Sequence, residues 1–132
     1  MIQRPRVLIV DNDAAFRGEL MSVLKRDCLV MSASGGMEAY NLALEYHPDA
    51  IVSEFHTPGW TGPRLLCQLR LHRILSRVPV IILTADASRN AVQAALKAGA
   101  NDYLLKSDIS PELLLERIRR VAGPRTPQKA TV

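Results

Sequence analysis

The chain has 132 residues, which suits a single domain of ordinary size, and 48% of them are hydrophobic, enough to build a core of its own. Its 17 basic and 13 acidic residues leave a formal net charge of +4, a mild excess collected partly at the two ends. With no recognised binding motif beside that charge, the balance argues against direct nucleic-acid binding by this domain, and no apolar run approaches the ~18 residues of a membrane span.

The first apolar run, residues 7–10, is too short for a signal peptide and suits a strand buried on both faces. Asp11-Asn12-Asp13 follows. Phe16, Leu20, Val23 and Leu24 then share one helical face, with Asp13 placed as N-cap. Residues 29–33 read as the second strand. Met37, Tyr40 and Leu44 line the next helix, which His47-Pro48 stops. The third strand, residues 50–53, runs into Glu54 and then into a loop, Thr57-Pro58-Gly59-Trp60-Thr61-Gly62. Leu65, Leu66 and Leu69 mark the third helix. Residues 80–83 form the fourth strand, followed by Thr84, Ala85 and Asp86. Val92, Ala95 and Leu96 mark the fourth helix, capped by Gly99. Residues 103–105 form the fifth strand and Lys106 follows it. Ser110-Pro111-Glu112, a cap with a first-turn proline and acid, opens the last helix, whose inner face is Leu114, Ile118 and Val121.

Five β–α units in strict alternation predict a doubly wound α/β fold, a parallel sheet with helices on both faces. The domain is expected over residues 1–122, with residues 123–132 a basic, proline-containing tail or linker. Arg117, Arg119 and Arg120 are expected on a solvated helix face. Cys28 and Cys67 are the only cysteines and are expected as buried free thiols in a reducing compartment. With no signal peptide or membrane span, a cytoplasmic location is expected.

In such a fold, chemistry gathers at the carboxyl ends of the strands. Asp11, Asn12 and Asp13 follow the first strand, Glu54 and His56 the third, Thr84 the fourth and Lys106 the fifth. Acid, acid, hydroxyl and ammonium from four strands therefore converge on one edge. Ser53, His56 and Ser107 are read as ordinary polar neighbours of that edge. Trp60 packs over the loop base or presents itself to a partner.

This constellation resembles the receiver (CheY-like) domain of two-component response regulators. The resemblance spans about residues 5–122. It rests on Val7-Leu8-Ile9-Val10-Asp11, on Pro48-Asp49 through Pro58-Gly59-x-x-Gly62, on Val80-Ile81-Ile82-Leu83-Thr84-Ala85, and on Ala98 through Lys106. It implies a five-stranded parallel sheet in the order 2-1-3-4-5 with five helices. It implies an acceptor aspartate phosphorylated by a histidine kinase with Mg²⁺ bound, switch residues at Thr84 and Tyr103, and a site lysine at Lys106. It also implies a partner surface on the fourth helix, fifth strand and fifth helix, with Arg89, Lys97, Tyr103 and Glu112 among its contacts.

Three positions depart from the family pattern. Glu54 stands at the phosphoacceptor position, and its extra methylene moves the carboxylate by roughly 1 Å, a shift that can cost about 100-fold in a positioned reaction. Asn12 removes a charge from the acidic pocket. Ser107 replaces the proline that commonly follows the lysine, so a trans peptide is expected there. The reading is a pseudo-receiver, not an enzyme, that is not phosphorylated by the usual aspartate route. It acts through a protein partner: a histidine kinase, or a downstream effector or output domain. No cofactor is expected, and any Mg²⁺ site, with Asp11, Asp13 and Glu54 as candidate ligands, is expected to be weak. The alternative is a phosphorylatable, Mg²⁺-dependent receiver with a divergent site. A flavodoxin-like cofactor binder is disfavoured, because Asp11-Asn12-Asp13 stands where a phosphate loop would be. Two roles for Glu54 remain open, partial mimicry of a phosphoryl group and simple neutralisation by Lys106. A Tyr103 ring turned inward, with Thr84 toward Glu54, would favour mimicry.

Overall fold

The computed structural model describes residues 3–123. Beyond Gly123, the expected tail lies outside the described residues. Five parallel strands, β1 (Arg6–Val10), β2 (Leu29–Ala33), β3 (Ala50–Ser53), β4 (Val80–Thr84) and β5 (Asp102–Leu105), form one sheet in the order β2-β1-β3-β4-β5. The helices are α1 (Ala14–Leu24), α2 (Gly36–Tyr46), α3 (Gly62–Leu71), α4 (Arg89–Ala98) and α5 (Pro111–Ala122). The expected fold and strand order are therefore present, with strand ends within a residue of those read from the sequence. Among the described residues, no helix is long and apolar enough to cross a membrane.

The sheet separates two cores because successive strand side chains point to opposite faces. Leu8, Val10, Ile51, Val80 and Ile82 meet α2, α3 and α4 on one face. Val7, Ile9, Val52, Ile81 and Leu83 meet α1 and α5 on the other. Both sets are buried, which explains why the strands read as continuous apolar runs.

The helix boundaries follow from their caps. The side chains of Asp13, Thr61, Ser88 and Ser110 accept hydrogen bonds from the amides of Phe16, Arg64, Ala91 and Leu113. Each such cap contributes about 1 kcal/mol by satisfying an otherwise unpaired donor. Gly99 ends α4 at φ 106°, a left-handed conformation that favours glycine. His47 takes φ 48° at the end of α2, immediately before Pro48.

Three residues expected on buried helical faces are exposed: Val23, Met37 and Leu96. The stripes of α2 and α4 are centred on Ala39, Ala43, Ala91 and Ala95, small residues that let the helix lie close to the sheet. Leu96 sits one position, about 100°, past Ala95, and Met37 about 200° before Ala39. On α1, Leu20 and Leu24 take the buried stripe and Val23 is left at its margin. Cys67 is likewise exposed, not buried as expected, because Leu65, Leu66 and Leu69 fill the inner face of α3 and turn it outward. Cys28 is buried as a free thiol.

Two arginines are tied down instead of solvated. Arg117 on α5, expected on a solvated face, pairs with Asp102 on β5 at 2.8 Å and is only partly exposed. Arg70, on α3, donates to the carbonyls of Val78 (2.7 Å) and Gly99 (2.7 Å) and to the side-chain oxygen of Asn101 (3.1 Å). Asn101 in turn accepts from the Val80 amide at 2.8 Å. Arg70 thus joins the two loops that set the starts of β4 and β5. Replacing Arg70 with methionine should lower the unfolding free energy by about 2 kcal/mol, the scale of lost hydrogen bonds to a charged group. Arg120→Met, which removes an exposed i,i+4 pair with Glu116, should cost under about 0.5 kcal/mol. Urea titration of both variants gives the comparison.

Candidate functional site

Strand register places the acids. The Glu54 amide donates to the Val10 carbonyl at 2.8 Å and the Asp11 amide to the Ala33 carbonyl at 3.1 Å, each extending its ladder one step past the sheet. Both carboxylates therefore leave the carboxyl edge of adjacent strands, and both residues are buried. Gly62 supports this from the opposite side. A Cβ there would lie 3.0 Å from the Glu54 carbonyl and 3.1 Å from the Phe55 Cα, so glycine lets the loop close under Glu54 without displacing that backbone.

Lys106 leaves the end of β5 and reaches both acids. Its Nζ lies 2.8 Å from Asp11 Oδ2 and 3.0 Å from Glu54 Oε1. The Phe16 ring covers the ammonium at 4.2 Å from its centroid, a cation–π contact. The remaining oxygens are also engaged. Asp11 Oδ1 accepts from the Asp13 amide at 2.9 Å, and Glu54 Oε2 from the His56 amide at 2.9 Å. Thr84 is buried at the end of β4, where it is among the groups that lower the Glu54 carboxyl. Asp13 turns away to cap α1, and Asn12 is exposed. Of the residues singled out from the sequence, the structure thus brings Asp11, Glu54, Thr84 and Lys106 together and leaves Asn12 and Asp13 outside the contact.

Tyr103 is half-buried against the α2–α3–α4 core, and its hydroxyl donates to the Asp86 carbonyl at 2.5 Å. The ring is held by the loop after β4, the same loop whose Asp86 amide donates to the Thr84 hydroxyl at 3.2 Å. Lys106 and Ser107 enter a short 3-10 turn, Lys106–Asp108, through trans peptides. Trp60 packs edge-on against Tyr40 with ring centroids 5.5 Å apart.

A model of the response regulator receiver domain matches residues 7–119. This chain belongs to the response-regulator receiver family. It is 32% identical over 125 residues to the nitrate/nitrite response regulator protein homolog of Haemophilus influenzae, covering 92% of this chain and 59% of that protein. It is 37% identical over 121 residues to the transcriptional regulatory protein PrrA of Mycobacterium tuberculosis, covering 91% of this chain and 49% of PrrA. The chain thus spans about half the length of the curated relatives it matches. Among solved structures, a putative response regulator from Chloroflexus aurantiacus superposes with a TM-score of 0.85 at 32% identity, over 91% of this chain and 98% of that one. The receiver domain of the Pseudomonas aeruginosa sensor histidine kinase PA1611, solved with a magnesium ion in its active-site cleft, gives 0.84 at 26% identity, over 92% and 99%.

One feature of this receiver was missed in the sequence. His56 Nε2 lies 2.7 Å from Asp86 Oδ2, joining the loop after β3 to the loop after β4. His56 had read as an ordinary exposed histidine, and its side chain is indeed 61% exposed. The register explains it: Ser53 pairs with Ile82, so His56 and Asp86 overhang adjacent strands by nearly equal lengths.

The electrostatics of the receiver site follow from these contacts. Burial alone would raise the Glu54 carboxyl, but hydrogen bonds from Thr84, the His56 amide and Lys106 outweigh it and hold the group below its ordinary value. Burial would likewise lower Lys106, but its two carboxylate partners outweigh that and raise the ammonium. The His56 contact, with the Ser88 amide and hydroxyl, lowers Asp86 to about 2. Tyr103 is raised, first by burial and then by Asp86 and Glu54.

A carboxyl depressed in the folded state contributes stability above its unfolded value, and that contribution is lost as pH falls through the folded value. The stability of the wild type relative to Glu54→Gln should therefore be level near neutrality and fall as pH drops below the ordinary 4.5. Denaturant titrations of both proteins between neutral and acidic pH test this. A relative stability that rises on acidification would contradict the assignment.

Proposed function

We propose that this receiver signals by protein–protein contact and that Glu54 holds its site in a phosphoryl-like arrangement without phosphoryl transfer. The observation that carries the reading is the Glu54 carboxylate itself. On our reading it stands at the phosphoacceptor position; it takes Lys106 at 3.0 Å and the His56 amide at 2.9 Å, and Thr84 is among the groups that lower it. A phosphoryl group would offer about −1.5 to −2 charges and three acceptor oxygens, so a carboxylate supplies the same kind of contact in smaller measure. The Tyr103 hydroxyl bonded to the loop after β4 is the second support, because it ties the ring inward to the segment that Thr84 begins. Of the two roles left open for Glu54, these contacts favour mimicry over neutralisation alone.

Magnesium fits this donor set poorly. Asp11 spends one oxygen on Lys106 and the other on a backbone amide, Asp13 caps a helix, and Asn12 offers a neutral amide. Mg²⁺ favours carboxylate oxygens in near-octahedral geometry, and here those oxygens already have partners. We read the metal site as weak and the chain as a module without catalysis of its own. Its partner is a histidine kinase or an effector or output domain, met at the face of α4, β5 and α5. Arg89, Lys97 and Glu112 are exposed there and Tyr103 is partly so. The phosphorylatable alternative draws on one finding, the magnesium ion in the cleft of the PA1611 receiver.

Trp60 is the sole tryptophan and reports on the loop after β3. Titrating Mg²⁺ and then beryllofluoride against the wild type should give no saturable fluorescence change. Glu54→Asp/Asn12→Asp should regain one, with Glu54→Asp alone in between. Saturable Mg²⁺ quenching of the wild type, followed by a beryllofluoride response, would establish the alternative.

A further inference from the structure

Asp86 is a junction. Its Oδ2 accepts from His56 Nε2 at 2.7 Å, its Oδ1 from the Ser88 amide at 2.9 Å, and its carbonyl from the Tyr103 hydroxyl at 2.5 Å. Its amide donates to the Thr84 hydroxyl at 3.2 Å. Four bonds thus join one loop residue to β3's loop, to the cap of α4, to β5 and to the end of β4. The Ser88 side chain, which caps α4 by accepting from the Ala91 amide at 3.2 Å, carries the connection into that helix. On the other side, the His56 amide donates to Glu54 Oε2, so one residue touches both the buried acid and the junction.

We propose that His56 is a positioning residue: its bond to Asp86 clasps the loop after β3 to the loop after β4, and so links the Glu54 carboxylate to the inward placement of Tyr103. This deepens the proposed function and rests on its view that Glu54 sets the state of the site.

The chemistry of the clasp is simple. Asp86 is ionised near neutrality and can only accept, so the imidazole must donate from Nε2. Both the neutral tautomer with a proton on Nε2 and the imidazolium do so. The clasp therefore does not need a charged histidine. The chain of contacts is continuous: Glu54 carboxylate, His56 amide, His56 ring, Asp86 carboxylate, Asp86 carbonyl, Tyr103 hydroxyl.

The pair is solvent-exposed at the histidine, so its effect is a bias and not a lock. An exposed contact of this kind, on the scale of a surface ion pair, shifts an equilibrium by about 1.5- to 5-fold. The readout must therefore measure populations. Tyr103 has two anchors, its packing against the core and the bond to the Asp86 carbonyl. Loss of the second frees the ring to leave the first.

The test is NMR of the Tyr103 ring and of the Asp86 and Tyr103 amides, with relaxation dispersion, in four proteins: wild type, His56→Ala, His56→Gln and Glu54→Gln. In His56→Ala the population with Tyr103 displaced should rise by about 1.5- to 5-fold, with new exchange broadening at Asp86 and Tyr103. His56→Gln, which can still donate to Asp86, should restore part of the wild-type behaviour. Glu54→Gln should also displace Tyr103, through Thr84 and His56. If His56→Ala leaves the Tyr103 ring and the Asp86 amide as in wild type while Glu54→Gln moves them, the clasp is wrong and the function reading stands. If Glu54→Gln leaves Tyr103 in place while His56→Ala releases it, the clasp acts alone and the link to Glu54 is wrong.

Discussion

The site depends on one ammonium held between two buried carboxylates. Asp11 and Glu54 stand on neighbouring strands, and either charge would be costly to bury unpaired. Lys106 meets both, at 2.8 and 3.0 Å, and the amides of Asp13 and His56 satisfy the oxygens that remain. A buried pair of this kind is weak evidence for net stability, since desolvation can offset the attraction. Its consequence is geometric. β5 is separated from β3 by β4, about two strand spacings or ~10 Å. Only a long cation leaving β5 can cross that gap. The contact therefore fixes the ends of β1, β3 and β5 relative to one another.

Glutamate changes what that contact can do. An aspartate at residue 54 would leave the space between itself and Lys106 for a transferred group. Glu54 puts a carboxylate into that space and takes the lysine directly. Its second oxygen is held by the His56 amide, so the longer side chain is not free to swing aside. Asn12, exposed and neutral, no longer contributes a third charge to the pocket. On the proposed reading the two departures act in the same direction: less demand for a cation from solution, and more reliance on the one the chain carries.

Much of this was legible in the sequence. The strands were visible because a parallel sheet covered on both faces produces unbroken apolar runs, as at Val80–Thr84. Asp13, Ser110 and Gly99 announced their helix ends because capping chemistry is local. The order of Asp11, Glu54, Thr84 and Lys106 located the site because strand ends in this topology share one edge. What failed was tertiary. Periodicity favoured large side chains at Met37 and Leu96, whereas close helix–sheet packing is built on Ala39, Ala43, Ala91 and Ala95. Cys67 was misplaced for a related reason, since three leucines already fill the inner face of α3. The Arg70 and Arg117 contacts were invisible because each joins segments far apart in the chain, and the His56–Asp86 contact needed the β3–β4 register, which the sequence alone does not fix.

The most direct test of the account is the ionisation of Lys106 itself, followed by side-chain ¹⁵N NMR in the wild type and in Glu54→Gln. A lysine held by two carboxylates should titrate above the ordinary 10.5 in the wild type and fall measurably when Glu54 loses its charge. A wild-type value at or below 10.5, unchanged by Glu54→Gln, would mean that the glutamate does not hold the lysine in solution, and the account would fail at its first contact.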